Sequence, residues 1–151
     1  MKRNSRLSLA LHTLGHMAGD PERMRTSADI AEHAGTNPVV VRRVLGKLRD
    51  AHLLASEKGH AGGWRLARSP HRITLADVYL ALDESLISTD DEVCVSDCAI
   101  ETVLRSKVAS VMRDIEQDLV ERLASTTIVE LADTINAHDP LDDNADDPLD
   151  E

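Results

Sequence analysis

The sequence predicts a mainly α-helical fold that carries one small β-hairpin, and three observations lead to this prediction. Two short helical patterns flank a tight turn within residues 26–50. Two short extended segments flank a cluster of glycines within residues 51–68. A long apolar repeat then runs from Ile100 to Leu123 at steps of three or four residues. This order of elements is typical of a winged helix-turn-helix domain followed by a long helix.

The first helix of the pair is expected to begin after Thr26 and to end at Gly35. Thr26 and Asp29 have the spacing of a capping box, in which each side chain accepts a hydrogen bond from the other residue's backbone. Gly35 suits a left-handed C-cap. An earlier helix is expected over Ser5–Met17, where apolar residues recur at helical spacing and a Gly-Asp-Pro sequence follows.

The second helix of the pair has a predicted start at Asn37, a good N-cap, followed by Pro38 where a missing N–H costs nothing. The predicted buried stripe of this helix consists of Val41, Val44, Leu45 and Leu48. Beyond it, Ala51–Glu57 and Gly63–Arg68 are expected to form the two strands of the hairpin. Trp64 is expected to pack at the base of the hairpin, because large aromatic side chains usually bury their area.

The C-terminal half has three further helical patterns. A second capping box precedes a predicted helix over Leu75–Leu82, and Thr127 caps a last helix over Ile128–Ala137. The predicted helix between them is about 36 Å long, more than a small domain needs for its own core. Its apolar stripe is a candidate dimerisation seam, the alternative being that the helix lies across its own domain. The stripe consists of Leu104, Val108, Val111, Ile115, Leu119 and Leu123.

These elements divide the chain into four predicted segments. Residues 1–85 form the winged helix-turn-helix domain, and residues 86–98 form a sensor-like loop that contains both cysteines. Residues 99–138 form the dimerisation helices. Residues 139–151 are so rich in acidic residues that we expect a disordered tail.

Charge is distributed unevenly along the chain. Residues 1–72 hold 13 Lys and Arg against 6 Asp and Glu, a net charge of +7, whereas residues 73–151 hold 4 against 21, a net charge of −17. A basic half joined to an acidic half favours a module that binds a polyanion such as nucleic acid, attached to a separate element that does not bind it. The sequence has no long apolar run and no export signal, so we expect a cytoplasmic protein with reduced thiols and no membrane contact.

The second helix of the pair carries the candidate DNA-reading residues. Arg42 and Arg43 lie near its start, and the planar arginine fork matches the O6/N7 edge of guanine. Val39 and Val40 are candidates for contact with thymine methyl groups. The other candidate DNA-binding residues are Lys47 and Arg49 further along the helix, and Lys58 and His60 at the hairpin tip.

Five segments of the chain resemble a known family. They are RLSLALHTLGHMA, SADIAEHAGTNPVVVRRVLGKLRDAHLL, SEKGHAGGWRLAR, ITLADVYLALDE and TTIVELAD. In sequence and order they are similar to the Rrf2 family of bacterial winged-helix regulators. The resemblance implies a homodimer that crosses its long C-terminal helices and binds an imperfect palindrome, usually as a repressor. It also implies base contacts by Val39, Val40, Arg42 and Arg43 and a minor-groove contact by Lys58.

Cys94 and Cys98 leave three possibilities open. The first is a thiol switch, because cysteines one helical turn apart have Cα atoms about 6 Å apart, within disulfide range. The flanking acidic residues Asp91, Glu92 and Asp97 are expected to raise the pKa of the thiols and to slow the oxidation that such a switch needs.

The second possibility is a zinc or iron–sulfur site with His12 as the first further ligand to test and His16 beside it. The third possibility is a pair of inert, half-buried thiols at a helix start. Cluster-binding members of the family carry three cysteines in this region and this chain has two, so we expect no cofactor.

The combined expectation is a homodimeric DNA-binding transcriptional regulator, a repressor modulated by thiol redox state. The alternatives are a metal- or iron–sulfur-responsive regulator and an adaptor that binds protein rather than DNA. The sequence contains no nucleophile elbow, phosphate loop or HExxH motif, so an enzyme is not expected.

Overall fold

The computed structural model describes residues 5–83 and 98–138. Over these ranges the chain forms six α-helices, one 3-10 helix and two strands, which confirms the predicted fold class. The predicted loop around Cys94 and the predicted acidic tail lie outside the described residues. The elements in chain order are α1 (Ser5–Gly19), α2 (Ser27–Ala34), α3 (Pro38–Asp50), β1 (Leu54–Glu57), β2 (Gly63–Leu66), the 3-10 helix (Pro70–Arg72), α4 (Leu75–Leu82), α5 (Ala99–Ala124) and α6 (Ile128–His138).

The two helices of the helix-turn-helix begin and end where their capping residues predict. The Thr26 hydroxyl accepts a hydrogen bond from the Asp29 N–H (3.1 Å), and the Asp29 carboxylate accepts one from the Thr26 N–H (3.2 Å). Gly35 ends α2 with a φ of 64°. The Asn37 side-chain oxygen accepts from the first two available N–H groups of α3, at 3.0 and 3.1 Å. Helix α3 therefore starts at a defined residue, because donors that lack a helical partner are satisfied.

One aliphatic core joins the N-terminal helices, the hairpin, α4 and the start of α6. All four predicted residues of α3 are at most 1 % exposed. Burial of one such side chain contributes about 1.5–3 kcal/mol, so packing on this stripe determines how α3 is oriented. The largest fully buried side chains outside α3 are Leu14, Met17, Leu53, Leu54, Ile73, Val78, Leu82 and Ile128.

The hairpin is shorter than predicted at both ends. Its strands pair antiparallel, with Leu54 opposite Leu66. The predicted start of the first strand at Ala51 is wrong, because the chain makes a turn there and His52 has a left-handed φ of 59°. The second strand ends at Leu66 rather than at Arg68.

Trp64 anchors the hairpin to the helix-turn-helix. Its backbone exchanges two hydrogen bonds with that of Arg25, at 2.8 and 3.1 Å. The indole is 7 % exposed, and its N–H donates to the Ser27 hydroxyl at the start of α2 (2.9 Å). The expected packing role of Trp64 is thereby confirmed. At Gly63 a Cβ atom would lie 2.6 Å from the Arg25 carbonyl oxygen, so this close approach requires glycine.

Helix α5 leads the chain away from the core, and the start of α6 packs in the core again. Thr74 and Thr127 face each other in an antiparallel bridge, and the Ile128 N–H donates to the Ile73 carbonyl (2.9 Å). Helix α6 then packs against α1. Helix α5 packs against α4, yet no side chain along its length is fully buried. This long helix therefore uses only part of its surface within its own chain.

Candidate nucleic-acid interface

Helix α3 presents an open face opposite its buried stripe. Val39 is 60 % exposed, and Arg42 and Arg43 are exposed about one turn further along. Gly46 follows on the same face, and a Cβ atom placed there would meet nothing within 4 Å beyond its own helical turn. The middle of this face is therefore bare backbone, which lets another surface approach the helix closely.

Arg42 and Arg43 carry unpaired positive charges. Within the described residues, neither guanidinium has a hydrogen-bond or ion-pair partner. A free guanidinium presents its donors as a rigid planar fork that suits a guanine edge or a phosphate. This pair has the position and the chemistry that base reading requires.

The other predicted contacts on α3 are engaged with the protein itself. Lys47 is half-buried, and its ammonium donates to the Leu82 carbonyl at the end of α4 (2.7 Å), where the helix dipole favours a cation. Arg49 forms an exposed ion pair with Asp50 (3.2 Å). Val40 is half-buried against the core. Because its ammonium donates to a carbonyl inside the domain, Lys47 is not part of the proposed interface.

Two exposed side chains, the ammonium of Lys58 and the imidazole of His60, lie at the hairpin tip. Below them, Arg65 and Glu57 form an exposed ion pair across the strands (3.4 Å). Neither Lys58 nor His60 has a partner among residues 5–83 and 98–138. A narrow tip with a free cation suits a DNA minor groove.

Cys98 is an exposed thiol at the N-cap of α5. The backbone N–H groups of Glu101 and Ile100 at the start of α5 favour the thiolate and hold the pKa of this thiol below its usual value. The direction is opposite to the one expected from the flanking acidic residues, all of which lie outside the described residues, because the N–H groups at the helix start lower the pKa. The predicted partner Cys94 lies outside the described residues.

His12, the predicted metal-ligating histidine, lies beside two other histidines. His16 follows it on α1 with a ring-centroid distance of 4.6 Å, and His33 approaches from α2 at 5.2 Å. Partial burial, and next the neighbouring His33, lower the pKa of His12. Cys98 is not in this group, so the described residues do not assemble the predicted set of thiolates and imidazoles. Sequence reasoning missed His33, since no local signal shows that α2 packs beside this part of α1.

Comparison with known proteins identifies the family. Residues 3–134 match the Rrf2 family, described as iron-dependent transcriptional regulators. The chain belongs to the Rrf2 family. It is 34 % identical over 125 residues to YwnA of Bacillus subtilis, named as an HTH-type transcriptional regulator, and the match covers 79 % of this chain and 91 % of YwnA.

A further relative and a solved structure are also similar to this chain. IscR of Vibrio campbellii, an HTH-type transcriptional regulator, is 34 % identical over 104 residues, which cover 69 % of this chain and 60 % of IscR. The solved structure of CymR, the global cysteine regulator of B. subtilis, has a TM-score of 0.62 at 23 % identity and covers 89 % of this chain and 98 % of that one. The similarity to CymR shows the shared fold.

As a member of the Rrf2 family, the chain is a transcriptional regulator with a DNA-binding fold and not an enzyme. The family description names iron. Among the described residues, the group that can share a metal ion is His12, His16 and His33, with no thiolate in it. These residues fit a single ion rather than an iron–sulfur cluster, because clusters are held mainly by thiolates. No helix within residues 5–83 and 98–138 has the length and apolar content needed to cross a membrane.

Proposed function

We propose that this Rrf2-family chain is a homodimeric repressor that reads an imperfect DNA palindrome with α3 and the hairpin. The observation that carries the proposal is the open face of α3, where unpaired Arg42 and Arg43 stand opposite a fully buried stripe. A helix held this firmly can enter the major groove and place its arginine forks against guanine edges. Repression is proposed because the regulators that this chain resembles usually repress.

The second copy is proposed to bind along α5. This helix has 26 residues and is therefore about 39 Å long. Exposed aliphatic side chains on such a surface are unfavourable in water, and two copies can bury each other's stripes. A two-fold interface of this kind would present two α3 helices to two half-sites of one palindrome. The side chains, each at least 50 % exposed, are Ile100, Val103, Leu104, Val108, Val111 and Ile115.

We propose a separate role for each predicted segment of the chain. Residues 1–85 are the DNA-binding unit, 86–98 the sensor loop, 99–138 the dimerisation helices and 139–151 an acidic tail. Packing of α6 on α1 supports this arrangement, because it connects the segment of the proposed dimerisation helices to the DNA-binding unit.

A salt series tests the DNA-binding part of the proposal. The probe is a duplex that the full chain selects from a random pool, and its Kd is measured by fluorescence anisotropy between about 50 and 200 mM salt. If about six phosphates are neutralised, affinity should fall about 10³-fold over that range. Lys58→Ala should reduce the slope of log Kd against log salt concentration by about 1 for each hairpin whose Lys58 contacts a phosphate. Failure to select any duplex from the pool, together with no binding to random duplex at the lowest salt, would contradict the DNA-binding part of the proposal and favour the protein-binding adaptor.

We also propose redox modulation through Cys98. Because its pKa is lowered, Cys98 should be alkylated by iodoacetamide at a lower pH than an ordinary free cysteine. The measurement is the pH profile of the rate in a Cys94→Ser variant, with Cys98→Ser as the matched control. Oxidant should change the DNA affinity of the wild type and leave that of Cys98→Ser unchanged. An equal response in both proteins would eliminate Cys98 as a switch.

A further inference from the structure

Three imidazole rings meet between α1 and α2. His12 and His16 lie one turn apart on α1, so their side chains project from the same face. His33, in the last turn of α2, completes the cluster. The Nε2 atoms of His16 and His33 are 2.9 Å apart, and one ligand nitrogen from each of the three rings lies within 4.8 Å of the others.

These separations match the requirements of a coordinated ion. Metal–imidazole bonds of about 2.0–2.1 Å place two ligand nitrogens about 3.3 Å apart in a tetrahedral site and about 2.9 Å apart in an octahedral one. The His16–His33 separation of 2.9 Å equals the octahedral value, and every other separation is at most 4.8 Å, so the His12 ring has to move by no more than about 1.5–2 Å to bring three nitrogens onto one ion. Imidazole ligands suit zinc, copper, nickel, cobalt and ferrous iron.

The surroundings of the cluster leave room for a further ligand. A cavity of about 420 Å³ is bordered by the three histidines together with Arg25 and Asp29. The Nε atom of Arg25 is buried and has no hydrogen-bond partner among the described residues. An oxygen ligand that completes the coordination from this cavity would offer that donor an acceptor.

We propose that His12, His16 and His33 form a binding site for one divalent transition-metal ion. The ion links α1 to α2. It therefore stabilises the position of the helix-turn-helix relative to α1. This role goes beyond DNA reading, because neither Arg42 nor Arg43 belongs to the site. The site requires neither cysteine and therefore differs from an iron–sulfur cluster held by thiolates.

Metal titration of the full chain, without an affinity tag and stripped with a chelator, tests the proposal. Co²⁺ should bind at one ion per chain with visible d–d absorption, and Zn²⁺ should displace it. At about 100-fold excess over its Kd, Zn²⁺ should raise the Tm by about 5–10 °C. His33→Gln should weaken Co²⁺ binding about 100-fold or more and remove the Tm increase, since loss of an outer partner alone costs about 10–100-fold.

Matched variants test whether these three histidines, rather than surface histidines or thiols, hold the ion. His60→Gln and His71→Gln change exposed histidines outside the cluster and should bind Co²⁺ as the wild type does. A Cys94→Ser/Cys98→Ser variant should also keep full binding. Equal Co²⁺ affinity in wild type and His33→Gln, an unchanged Tm, or loss of binding in the cysteine variant would each overturn the assignment. DNA affinity of the stripped protein, measured in parallel, tests the proposed repressor function independently.

Discussion

Replacing both Arg42 and Arg43 by alanine should abolish the preference for the selected operator over random duplex, while leaving the fold intact. Each bidentate arginine–guanine contact contributes about 1–3 kcal/mol of discrimination. Loss of two contacts therefore costs at least about 2 kcal/mol per half-site, roughly 30-fold. Both side chains are exposed and unpaired, so stability should change by less than about 0.5 kcal/mol. Competition binding with operator and random duplexes, together with thermal unfolding, measures both effects.

A charge-preserving control distinguishes base reading from simple attraction to DNA. Arg42→Lys/Arg43→Lys keeps both positive charges but loses the planar forks, so it should keep the salt slope and lose the operator preference. Arg113→Ala removes an exposed arginine from α5 and should have no effect on preference. If the double alanine variant retained the operator preference of the wild type, the base-reading role of these arginines would be wrong.

Introducing charge into the exposed stripe of α5 should separate the dimer into monomers. Val108 and Val111 are 50 % and 54 % exposed in the single chain, and the proposed interface buries both. Val108→Glu/Val111→Glu would then place four carboxylates in one two-fold interface, each with a desolvation cost of several kcal/mol. The dimer Kd should rise at least about 1,000-fold, and sedimentation should show the mass of one chain. Affinity for the full palindrome should fall while that for a half-site stays the same, because the second half-site no longer binds intramolecularly.

The matched control for this variant lies on the same helix. Thr102→Glu/Ser106→Glu adds the same charge at exposed positions about 120–180° around α5 from Val108 and Val111, and should remain dimeric. A Val108→Glu/Val111→Glu protein that sediments as a dimer at micromolar concentration would show that α5 is not the seam.

Local signals made most helices predictable to within a few residues. Thr26 with Asp29, Asn37 with Pro38, and Thr74 with Asp77 each act within four residues, so their effect can be read without knowing the fold. The start of β1 was not predicted, because the segment Ala51–Leu53 is apolar enough for a strand. The left-handed turn at His52 comes directly before Leu53 and Leu54, which are both buried in the core, and no local pattern in the sequence indicates it.

The candidate site was only partly predictable, because some of its contacts depend on how distant elements pack together. Exposure of Arg42 and Arg43 follows from the 3.6-residue helical period, once the buried stripe is known. The hydrogen bond of Lys47 to Leu82 joins residues far apart in the chain and depends on where α4 packs. The same is true of His33, which meets His12 and His16 only because α2 lies beside α1.

The order of the elements, the buried face of α3 and the aliphatic stripe of α5 follow from the order of residues alone, because caps and apolar spacing act over a few residues. In contrast, the hydrogen bond of the Lys47 ammonium inside the domain and the cluster of three histidines from two helices arise only when the chain is folded. Within the described part of the chain, Leu104, Val108, Val111 and Ile115 of the α5 stripe remain at least half exposed, whereas Leu119 and Leu123 are half-buried, and this difference also depends on tertiary packing. These outcomes depend on distances between elements, and those distances are determined when the helices pack around the shared core.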